Sequence, residues 1–528
     1  MSRLPSTSGR PDTGSVLTLP PGALPGPRSG TEPVRRTAAW WLLVLAVGLG
    51  AVARLRTGSA LWLDEALSVE IARRPVPDLL EALRRDGSPP LYYLLLHAWT
   101  SVLGTSDLAV RALSALASLA ALPVVWAVGR RLGGPRVAAA ALLLLAVNPF
   151  AVRYATEARM YALVQLLAAA GLLAVLRALE RPAAARLVPV GLCSGALALT
   201  HYWSLFLVAA TAVALLALAV RAEHRAALRV LGALAGGLAL LLPWLPSFLF
   251  QVQRTGAPWS QPPHVVDLWY ALVAWSGGGA GPAVVLTLVT AGLLVLALVG
   301  HRADGGVLLR GPVDATTAVL IGVAAGGVLL GVVLSMGGVG GYAPRYTSGA
   351  LVPCALAAAR GVRALPPRAA SVVLAVAATA GLATAVPQLT GTLRTQAPSL
   401  AAALRDGLRP GDAVVYCPDQ LGPSVSRLLP AGTRQIPYPM GGSPRLVDWV
   451  DYADRNASAS PSAFAAAVSA RTEGAVWLVG AGGYRTLEGQ CESLSDGLAD
   501  RRGAGRDVQA AQPEAEERAW LTRFPAVP

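Results

Sequence analysis

The stretch AAWWLLVLAVGLGAVARLRTGSALWLDEALSVE, residues 38–70, contains the pattern that determines the fold. Residues 38–55 are mostly apolar, and their number is close to the roughly 20 residues that a helix needs to cross a bilayer. The adjacent acids Asp64 and Glu65 follow where such a helix has just left the bilayer. The stretch therefore predicts a membrane span followed by an acidic pair at the membrane surface.

Composition extends this interpretation to most of the chain. The 528 residues are 54% hydrophobic and 14% charged, whereas a soluble protein carries roughly 25% charged residues. Apolar runs recur at 38–54, 108–129, 136–152, 160–178, 187–200, 204–220, 228–250, 281–300, 315–335, 346–360 and 369–388. The sequence thus predicts an α-helical polytopic membrane protein with about 11 transmembrane helices. The segment from Val265 to Trp275 is predicted as a re-entrant or interfacial helix.

Charge indicates the orientation in the membrane. All 44 basic residues are arginines, and the net charge is +14. The arginines cluster in alternate short connections: Arg35 and Arg36, then residues 129–136, 177–186, 221–229, 301–310 and 360–368. Short arginine-rich loops stay cytoplasmic, so the amino terminus is predicted inside and the carboxyl terminus outside. No basic patch with interleaved aromatic residues suggests nucleic-acid binding. The arginine-only usage is typical of GC-rich bacterial genomes, and we expect a bacterial plasma membrane protein.

The chain divides into four parts. Residues 1–37 are polar and rich in Pro, Gly and Ser, which predicts a disordered cytoplasmic segment. Residues 38–390 form the transmembrane domain, with 56–107 as its first extracytoplasmic loop. Residues 395–500 alternate buried strands (DAVVYC, AVWLVGAG) with amphipathic helices (SLAAALRDGL, PSAFAAAVSART), which predicts a small extracytoplasmic α/β domain. Residues 501–528 are expected to be a polar tail. Cys417 and Cys491 lie in the α/β domain, and the sequence leaves open whether they are bridged.

Polar side chains gather at the predicted outer ends of the spans. They occur in LWLDEALSVE, RRDGSPPLYYLLLHAW, RYATEARMYAL, LTHYWSLFL and GYAPRYTSGALVP. Ionisable groups close to the membrane core are costly and therefore suggest function. The candidate residues are Asp64, Glu65, Asp86, Pro90, Tyr92, Arg111, Glu157, Arg159, Tyr161, His201, Tyr202, Arg345 and Tyr346.

Several candidates also have a structural alternative. Asp64 is a possible helix cap, and Pro90 a helix start. Glu157 and Arg159 are a possible structural salt bridge. Arg345 is a possible snorkelling arginine, and His201 a satisfied interfacial histidine. Their clustering on one side of the membrane favours a site.

The residue types indicate the chemistry of such a site. A carboxylate can act as a general base on a hydroxyl, and arginines bind phosphate and stabilise a departing phosphate. A base beside a phosphate clamp suggests that a hydroxyl displaces a phosphate leaving group. Nucleotide sugars are cytoplasmic, so an outer site needs another donor, and a lipid-phosphate sugar is the natural one.

The motifs resemble bacterial members of glycosyltransferase family 39, of the GT-C superfamily, which includes protein O-mannosyltransferases and lipid A aminoarabinose transferases. The similar elements, in order, are LWLDEALS, SPPLYYLLLHAW, LAVRALSAL, TEARMYAL, His201 with Tyr202, and Arg345 with Tyr346. They cover roughly residues 38–365.

The resemblance implies a role for each motif. Asp64 would be the general base, and Glu65 would support it or contact the sugar. Arg111, Arg159 and Arg345 would bind the lipid phosphate. The reaction would invert the anomeric centre, with a polyprenyl-phosphate sugar, often mannose, as donor and an extracytoplasmic glycan, lipid or protein as acceptor.

The sequence departs from the family pattern at two positions, and two other functions compete with that of a glycosyltransferase. Ser88 stands where many relatives have His, so a divalent metal is an open question, and Thr156 replaces a usual Gln. A transporter or flippase of lipid-linked saccharides would place charges near mid-membrane, whereas these lie at span ends. A non-catalytic membrane scaffold that presents the outer domain is the other alternative.

The arginine pattern predicts the topology of the chain. Single cysteines introduced at positions 132 and 450 should react with a membrane-impermeant thiol reagent from opposite sides, 450 from outside. Labelling of position 450 only from the cytoplasm would show that the α/β domain is not external.

Overall fold

The computed structural model describes residues 38–221, 224–303, 306–309, 312–338, 341–391 and 393–527. The predicted disordered segment 1–37 lies outside these residues. Helices make up the first part of the chain, and a small mixed sheet with helices forms the last part. The predicted fold class, a helical polytopic membrane protein with a C-terminal α/β domain, is confirmed.

The membrane part is built from helices whose lengths follow the apolar runs. The helices are α1 (Ala38–Ala53), α2 (Leu63–Ala72), α3 (Val76–Asp86), α4 (Leu91–Leu103), α5 (Asp107–Ala146), α6 (Pro149–Ala155), α7 (Tyr161–Glu180), α8 (Ala184–Thr200), α9 (Ser204–Arg221), α10 (Arg225–Gly237), α11 (Leu245–Arg254), α12 (Asp267–Trp275), α13 (Pro282–Val299), α14 (Ala315–Met336), α15 (Ser348–Arg360) and α16 (Pro367–Thr390). A short hairpin, β1 (His301–Ala303) and β2 (Gly306–Leu308), connects α13 to α14.

Among the described residues, seven helices are long and apolar enough to cross a membrane: Asp107–Ala146, Tyr161–Glu180, Ser204–Arg221, Arg225–Arg254, Pro282–Val299, Ala315–Met336 and Pro367–Pro387. The first contains two predicted spans, because α5 is interrupted by non-helical backbone at Gly133 and Gly134. Two further predicted spans correspond to the shorter apolar helices Trp40–Ala53 and Ala184–Thr200.

Two predicted helices are shorter than a bilayer requires. The predicted span 346–360 is the 13-residue α15, whose side chains are all buried among neighbouring helices. At 1.5 Å per residue it is about 20 Å long, against a hydrocarbon core of about 30 Å. Residues 265–275 contain the nine-residue α12, a length compatible with an interfacial helix. Because neighbouring helices bury the apolar side chains of α15, this helix can be apolar without spanning the bilayer.

The C-terminal domain is larger than its sequence suggests. It contains α17 (Ala397–Gly407), α18 (Gly422–Ser426), α19 (Tyr452–Ala457), α20 (Pro461–Ala470) and α21 (Gln490–Arg502), with strands β3 (Leu393–Thr395), β4 (Ala413–Cys417), β5 (Arg434–Pro437), β6 (Val476–Gly480), β7 (Arg506–Gln509), β8 (Ala515–Glu517) and β9 (Trp520–Phe524). The main sheet has the order β5-β4-β6-β9-β7, with β5, β4 and β6 parallel and β9 antiparallel to β6 and β7. β3 pairs separately with β8 in parallel.

The expected polar tail 501–528 is therefore wrong. It contributes β7, β8 and β9, and β9 lies inside the main sheet. The strands are only three to five residues long and contain charged residues, so the sequence shows little alternation that would identify them. The domain extends over residues 393–527 rather than 395–500.

A disulfide joins the two cysteines of this domain. Cys417 ends β4 and Cys491 lies in the first turn of α21, with 5.4 Å between their Cα atoms. The bridge links β4, an inner strand of the main sheet, to the helix that precedes β7. Such a bond is typical of an oxidising compartment.

Candidate functional site

A cavity of about 360 Å³ lies where the first outer loop, the turns between later helices and the C-terminal domain meet. Its lining includes Trp62, Asp64, Asp86, Ser88, Pro89, Arg159, His201, Tyr202, Trp203, Trp259, Arg345, Tyr346, Gln420, Trp449 and Tyr484. Aromatic rings and a few charged groups thus share one concave space, the usual character of a small-molecule site.

Asp64 lines this cavity, and one of its carboxylate oxygens has no hydrogen bond among the described residues. It is the second residue of α2, whose N-cap Trp62 makes no side-chain cap bond. Asp64 Oδ2 is buried and lacks a hydrogen-bond partner among the described residues. It lies 3.7 Å from Arg345 Nη2 and 3.9 Å from Arg159 Nε. Since the carboxylate bonds no backbone N–H, the helix-cap alternative does not describe its contacts.

The two arginines beside Asp64 retain free donors. Arg159 Nη1 donates to Ser68 Oγ at 3.1 Å and to the Tyr93 hydroxyl at 3.0 Å. Arg345 lies with its guanidinium carbon 5.0 Å from the Trp259 ring centroid, within cation–π range. The Nε atoms of both arginines are buried and have no acceptor in the described part of the chain. Two guanidinium groups with spare N–H donors form a place for an anion such as a phosphate.

Glu65 faces the opposite way and does not line the cavity. Its side chain is 0% exposed. Its Oε1 and Oε2 accept from Arg111 Nε at 2.7 Å and Nη2 at 2.6 Å, and Oε1 also accepts from the backbone N–H of Ala158 at 2.9 Å. Arg394 Nη1 is 3.8 Å away. The expectation that Glu65 contacts the sugar is therefore wrong, because both carboxylate oxygens are already bonded in the interior.

The pairing of Glu65 also removes Arg111 from the predicted phosphate-binding set. Arg111 directs its remaining donors to the carbonyl oxygens of Ser59 at 2.8 Å and Ala60 at 3.1 Å. Successive residues of a helix point about 100° apart, so one member of the acidic pair can face the cavity while the next is buried. The two acids have different environments although they are adjacent in sequence.

Four other predicted residues line the cavity. Asp86 accepts from the Tyr93 hydroxyl at 3.4 Å; burial raises the pKa of this carboxyl, and the positive charge of Arg159 opposes the rise. The His201 ring lies 4.9 Å from Tyr346. Burial, with the positive charges of Arg159 and Arg345, lowers the pKa of His201 to about 3, so its imidazole is neutral. Tyr202 accepts from Trp244 Nε1 at 2.8 Å.

Besides Glu65 and Arg111, four predicted residues are not among those that line the cavity. Pro90 is the buried N-cap of α4, as its structural alternative stated. The Tyr92 hydroxyl bonds Ser114 Oγ at 3.1 Å, and the Tyr161 ring packs 5.6 Å from His201. Glu157 lies 3.4 Å from Arg153 Nε, so the proposed Glu157–Arg159 salt bridge is not formed. These four residues support the walls of the site.

Several lining residues were not predicted. Tyr93 of the PPLYY motif does not line the cavity, but its hydroxyl contacts the lining residues Asp86 and Arg159, whereas the sequence pattern favoured Tyr92; adjacent tyrosines cannot be distinguished without the helix orientation. Trp62 and Trp259 precede or follow polar clusters at span ends. Gln420 and Tyr484 belong to the C-terminal domain, and no local sequence signal places that domain against the cavity.

Polar contacts, of which those of Arg394 and Glu517 are buried, fix the C-terminal domain to the membrane part. Arg394, with a 0% exposed side chain, donates to the Thr156 carbonyl oxygen at 2.8 Å and hydroxyl at 2.7 Å. Arg153 forms a bidentate pair with Glu516 at 2.8 and 2.6 Å. Glu517 Oε1 accepts from the backbone N–H of Leu63 at 3.2 Å, at the start of α2. The last domain therefore holds the first turn of the helix that carries Asp64.

No group of three His, Cys, Asp or Glu side chains arranged to hold a metal ion occurs within the described ranges.

The architecture and the cavity define a class: a multi-pass membrane protein with the GT-C fold. The crystal structure of ArnT from Cupriavidus metallidurans bound to undecaprenyl phosphate matches with a TM-score of 0.57 and 13% identity, over 92% of this chain and 98% of that one. The oligosaccharyltransferase of Archaeoglobus fulgidus tethered with an acceptor peptide matches with a TM-score of 0.47 and 13% identity, over 91% of this chain and 74% of that one. The shared fold is established by the first match.

A family model gives the more particular likeness. Residues 87–246 match the family described as dolichyl-phosphate-mannose-protein mannosyltransferase. This part contains the PPLYY and EARMYAL motifs, Arg111 and His201. No curated protein sequence matches the chain. The resemblance inferred from the motifs is confirmed at the level of the fold.

Neutralising Glu65 should lower the stability of the protein much more than neutralising Glu70. Glu65→Gln leaves Arg111 without its buried counter-charge, and breaking such a pair costs about 3–5 kcal/mol. The thermal midpoint of unfolding, followed in detergent, should drop markedly. Glu70→Gln is the matched control, since Glu70 makes only a 3.8 Å contact with the half-exposed Arg445 and should cost under about 1 kcal/mol. Equal midpoints for the two variants would contradict the structural role of Glu65.

Glu517 should make stability depend on pH. Burial raises its pKa from 4.5 to about 7, although hydrogen bonds from Thr395, Ser424 and Leu63 oppose the shift. Between these values the folded state binds a proton that the unfolded state does not, so stability falls as pH rises through about 4.5–7. Glu517→Gln, which stays neutral and still accepts from Leu63, should show a smaller fall in thermal midpoint across this window. Parallel pH profiles for variant and wild type would exclude this titration.

Proposed function

We propose that the chain is an integral membrane glycosyltransferase that transfers a sugar from a polyprenyl-phosphate donor to an extracytoplasmic acceptor. The amino terminus is cytoplasmic in this proposal, and the cavity and C-terminal domain face outside. The observation that carries it is Asp64, which lines the cavity beside Arg159 and Arg345 and whose Oδ2 has no hydrogen-bond partner among the described residues.

The reaction is a single displacement at the anomeric carbon. The acceptor hydroxyl attacks that carbon, and the bond from the carbon to the phosphate oxygen breaks with both electrons going to oxygen. The hydroxyl proton goes to Asp64 as the new glycosidic bond forms, and then to water. Products are a glycoside of inverted configuration and a polyprenyl phosphate. A general base at this position removes the proton as the hydroxyl becomes acidic.

The arginines hold the leaving group. Asp64 is their counter-ion at 3.7 and 3.9 Å, distances longer than charge-assisted hydrogen bonds of about 2.7–2.9 Å. A phosphate can therefore bind the free N–H groups of Arg159 and Arg345 at shorter range without displacing an existing hydrogen bond. Positive charge fixed beside the leaving oxygen stabilises the phosphate as it departs.

The comparisons support the choice of donor. The matching ArnT structure contains undecaprenyl phosphate, and the family model describes transfer from dolichyl-phosphate-mannose. Both are sugar carriers or donors of the polyprenyl-phosphate class. A hexose, with mannose as the first to test, is therefore our proposed sugar.

Asp64→Asn should abolish most turnover. The amide keeps the shape but cannot accept the proton, so transfer should fall by about 10²–10⁴, the range that general-base catalysis supplies. Turnover is measured as polyprenyl phosphate and glycoside formed from a defined polyprenyl-phosphate sugar, at equal amounts of folded protein. Arg345→Ala should instead weaken donor binding and also slow transfer, since a fixed charge acts on both states.

Asp78→Asn is the control for this experiment. Asp78 is also an acid in the first turn of a loop helix, but it is exposed and does not line the cavity. It should retain wild-type turnover. Asp64→Asn within a few-fold of wild type would overturn the mechanism and return Asp64 to a structural role.

A further inference from the structure

We propose that the C-terminal domain forms the acceptor subsite of this cavity, and that it binds a neutral, hydroxyl-bearing saccharide through Gln420, Trp449 and Tyr484. This inference rests on the proposed function, because it assigns the second substrate of the same reaction. All three residues line the cavity that contains Asp64.

The sheet topology brings these three residues together. β4, β5 and β6 are parallel neighbours in the order β5-β4-β6. Gln420 follows β4, Trp449 follows β5 and Tyr484 follows β6, so each lies after the carboxyl end of its strand. In open α/β sheets, ligands bind beyond the carboxyl ends of parallel strands where the strand order reverses. In this chain that edge of the sheet closes the cavity.

A buried relay fixes the direction of the Gln420 amide. The Tyr452 hydroxyl lies 2.6 Å from Asp419 Oδ1 and 3.2 Å from Gln420 Nε2. The phenol has one proton, which it donates in the hydrogen bond to the Asp419 carboxylate. The Gln420 amide NH2 must therefore be the donor in its hydrogen bond to the phenol oxygen. Gln420 is 4% exposed, and its Oε1 accepts no hydrogen bond from the described residues. The relay thus leaves one oriented acceptor for a ligand hydroxyl.

The other two residues add a ring and a second polar group. Trp449 is held by its backbone N–H, which donates to the Arg85 carbonyl oxygen at 3.2 Å, and its ring lies 4.9 Å from Tyr452. The Tyr484 hydroxyl makes no hydrogen bond within the described part of the chain. A large aromatic face beside an amide oxygen and a phenol suits a molecule with an apolar ring face and hydroxyl edges.

The distribution of charge separates the two substrates. The charged lining residues Asp64, Asp86, Arg159 and Arg345 all come from the membrane part, whereas the C-terminal domain contributes only neutral ones. The donor phosphate requires cations, and its lipid chain must stay in the bilayer. The neutral wall formed by the C-terminal domain is therefore left for the acceptor. A phosphorylated or otherwise charged acceptor group would find no partner on this wall.

Gln420→Leu tests the subsite in the full chain. The first measurement is saturation-transfer difference NMR with a panel of methyl glycosides and a Ser/Thr-containing peptide, which requires no turnover. The second is transfer from a polyprenyl-phosphate sugar to saccharide acceptors, together with slow release of polyprenyl phosphate in the absence of acceptor. Gln509→Leu, the same change on the outer strand β7, is the matched control.

Gln420→Leu should weaken saccharide binding and raise the acceptor KM by about three- to tenfold, the effect of one neutral hydrogen bond. Acceptor-independent release should not change, and Gln509→Leu should behave as wild type. Tyr452→Phe keeps the Gln420 amide but removes the hydroxyl that orients it, so it should also weaken saccharide binding and raise the acceptor KM. This second variant keeps the test valid if Gln420→Leu misfolds.

Unchanged saccharide binding and KM in both cavity variants would overturn the subsite, as would binding of the peptide but of no glycoside. If Asp64→Asn is inactive in the same assay, the proposed function stands even where the subsite fails. If wild-type protein transfers no sugar but binds glycosides in a Gln420-dependent way, the proposed function fails and the saccharide site stands.

Discussion

The buried pair between Glu65 and Arg111 is the contact on which the site depends. Ions removed from water are stable only when their hydrogen-bonding groups are satisfied, and Glu65 achieves this with two bonds from Arg111 and one from the Ala158 N–H. The pair joins α2, α5 and the turn before α7. Arg394 adds the C-terminal domain to the same cluster at 3.8 Å. Four separate parts of the chain therefore meet at one carboxylate.

Asp64 takes its position from this anchor. Its neighbour is fixed in the interior, and Leu63 is bonded to Glu517 at the start of the same helix. Asp64 can then face the cavity while making no hydrogen bond through Oδ2. The Asp64 carboxylate is thus held in place beside two guanidinium groups before a substrate binds. Little free energy is therefore lost to rearrangement on binding. Glu65, the structural acid, thus keeps Asp64, the proposed reactive acid, in position.

The sequence predicts most helices of the membrane part well, because span-length apolar runs are local signals. It also selects Asp64, Arg159 and Arg345, whose motifs resemble a known family. It does not distinguish Asp64 from Glu65, since the direction of each side chain depends on how α2 packs. Gln420 could not be predicted, because its place in the cavity results from contacts between residues hundreds of positions apart. The strands after residue 501 are too short for their periodicity to be recognised.

The most direct measurement is a structure of the chain with a polyprenyl-phosphate sugar bound. We predict that the phosphate lies within about 2.7–2.9 Å of guanidinium nitrogens of Arg159 and Arg345, with the anomeric carbon facing the side of the cavity where Asp64 lies. A phosphate bound instead in the apolar groove lined by Arg54 and Arg56, between α1 and α16, with the sugar out of reach of Asp64, would contradict the account.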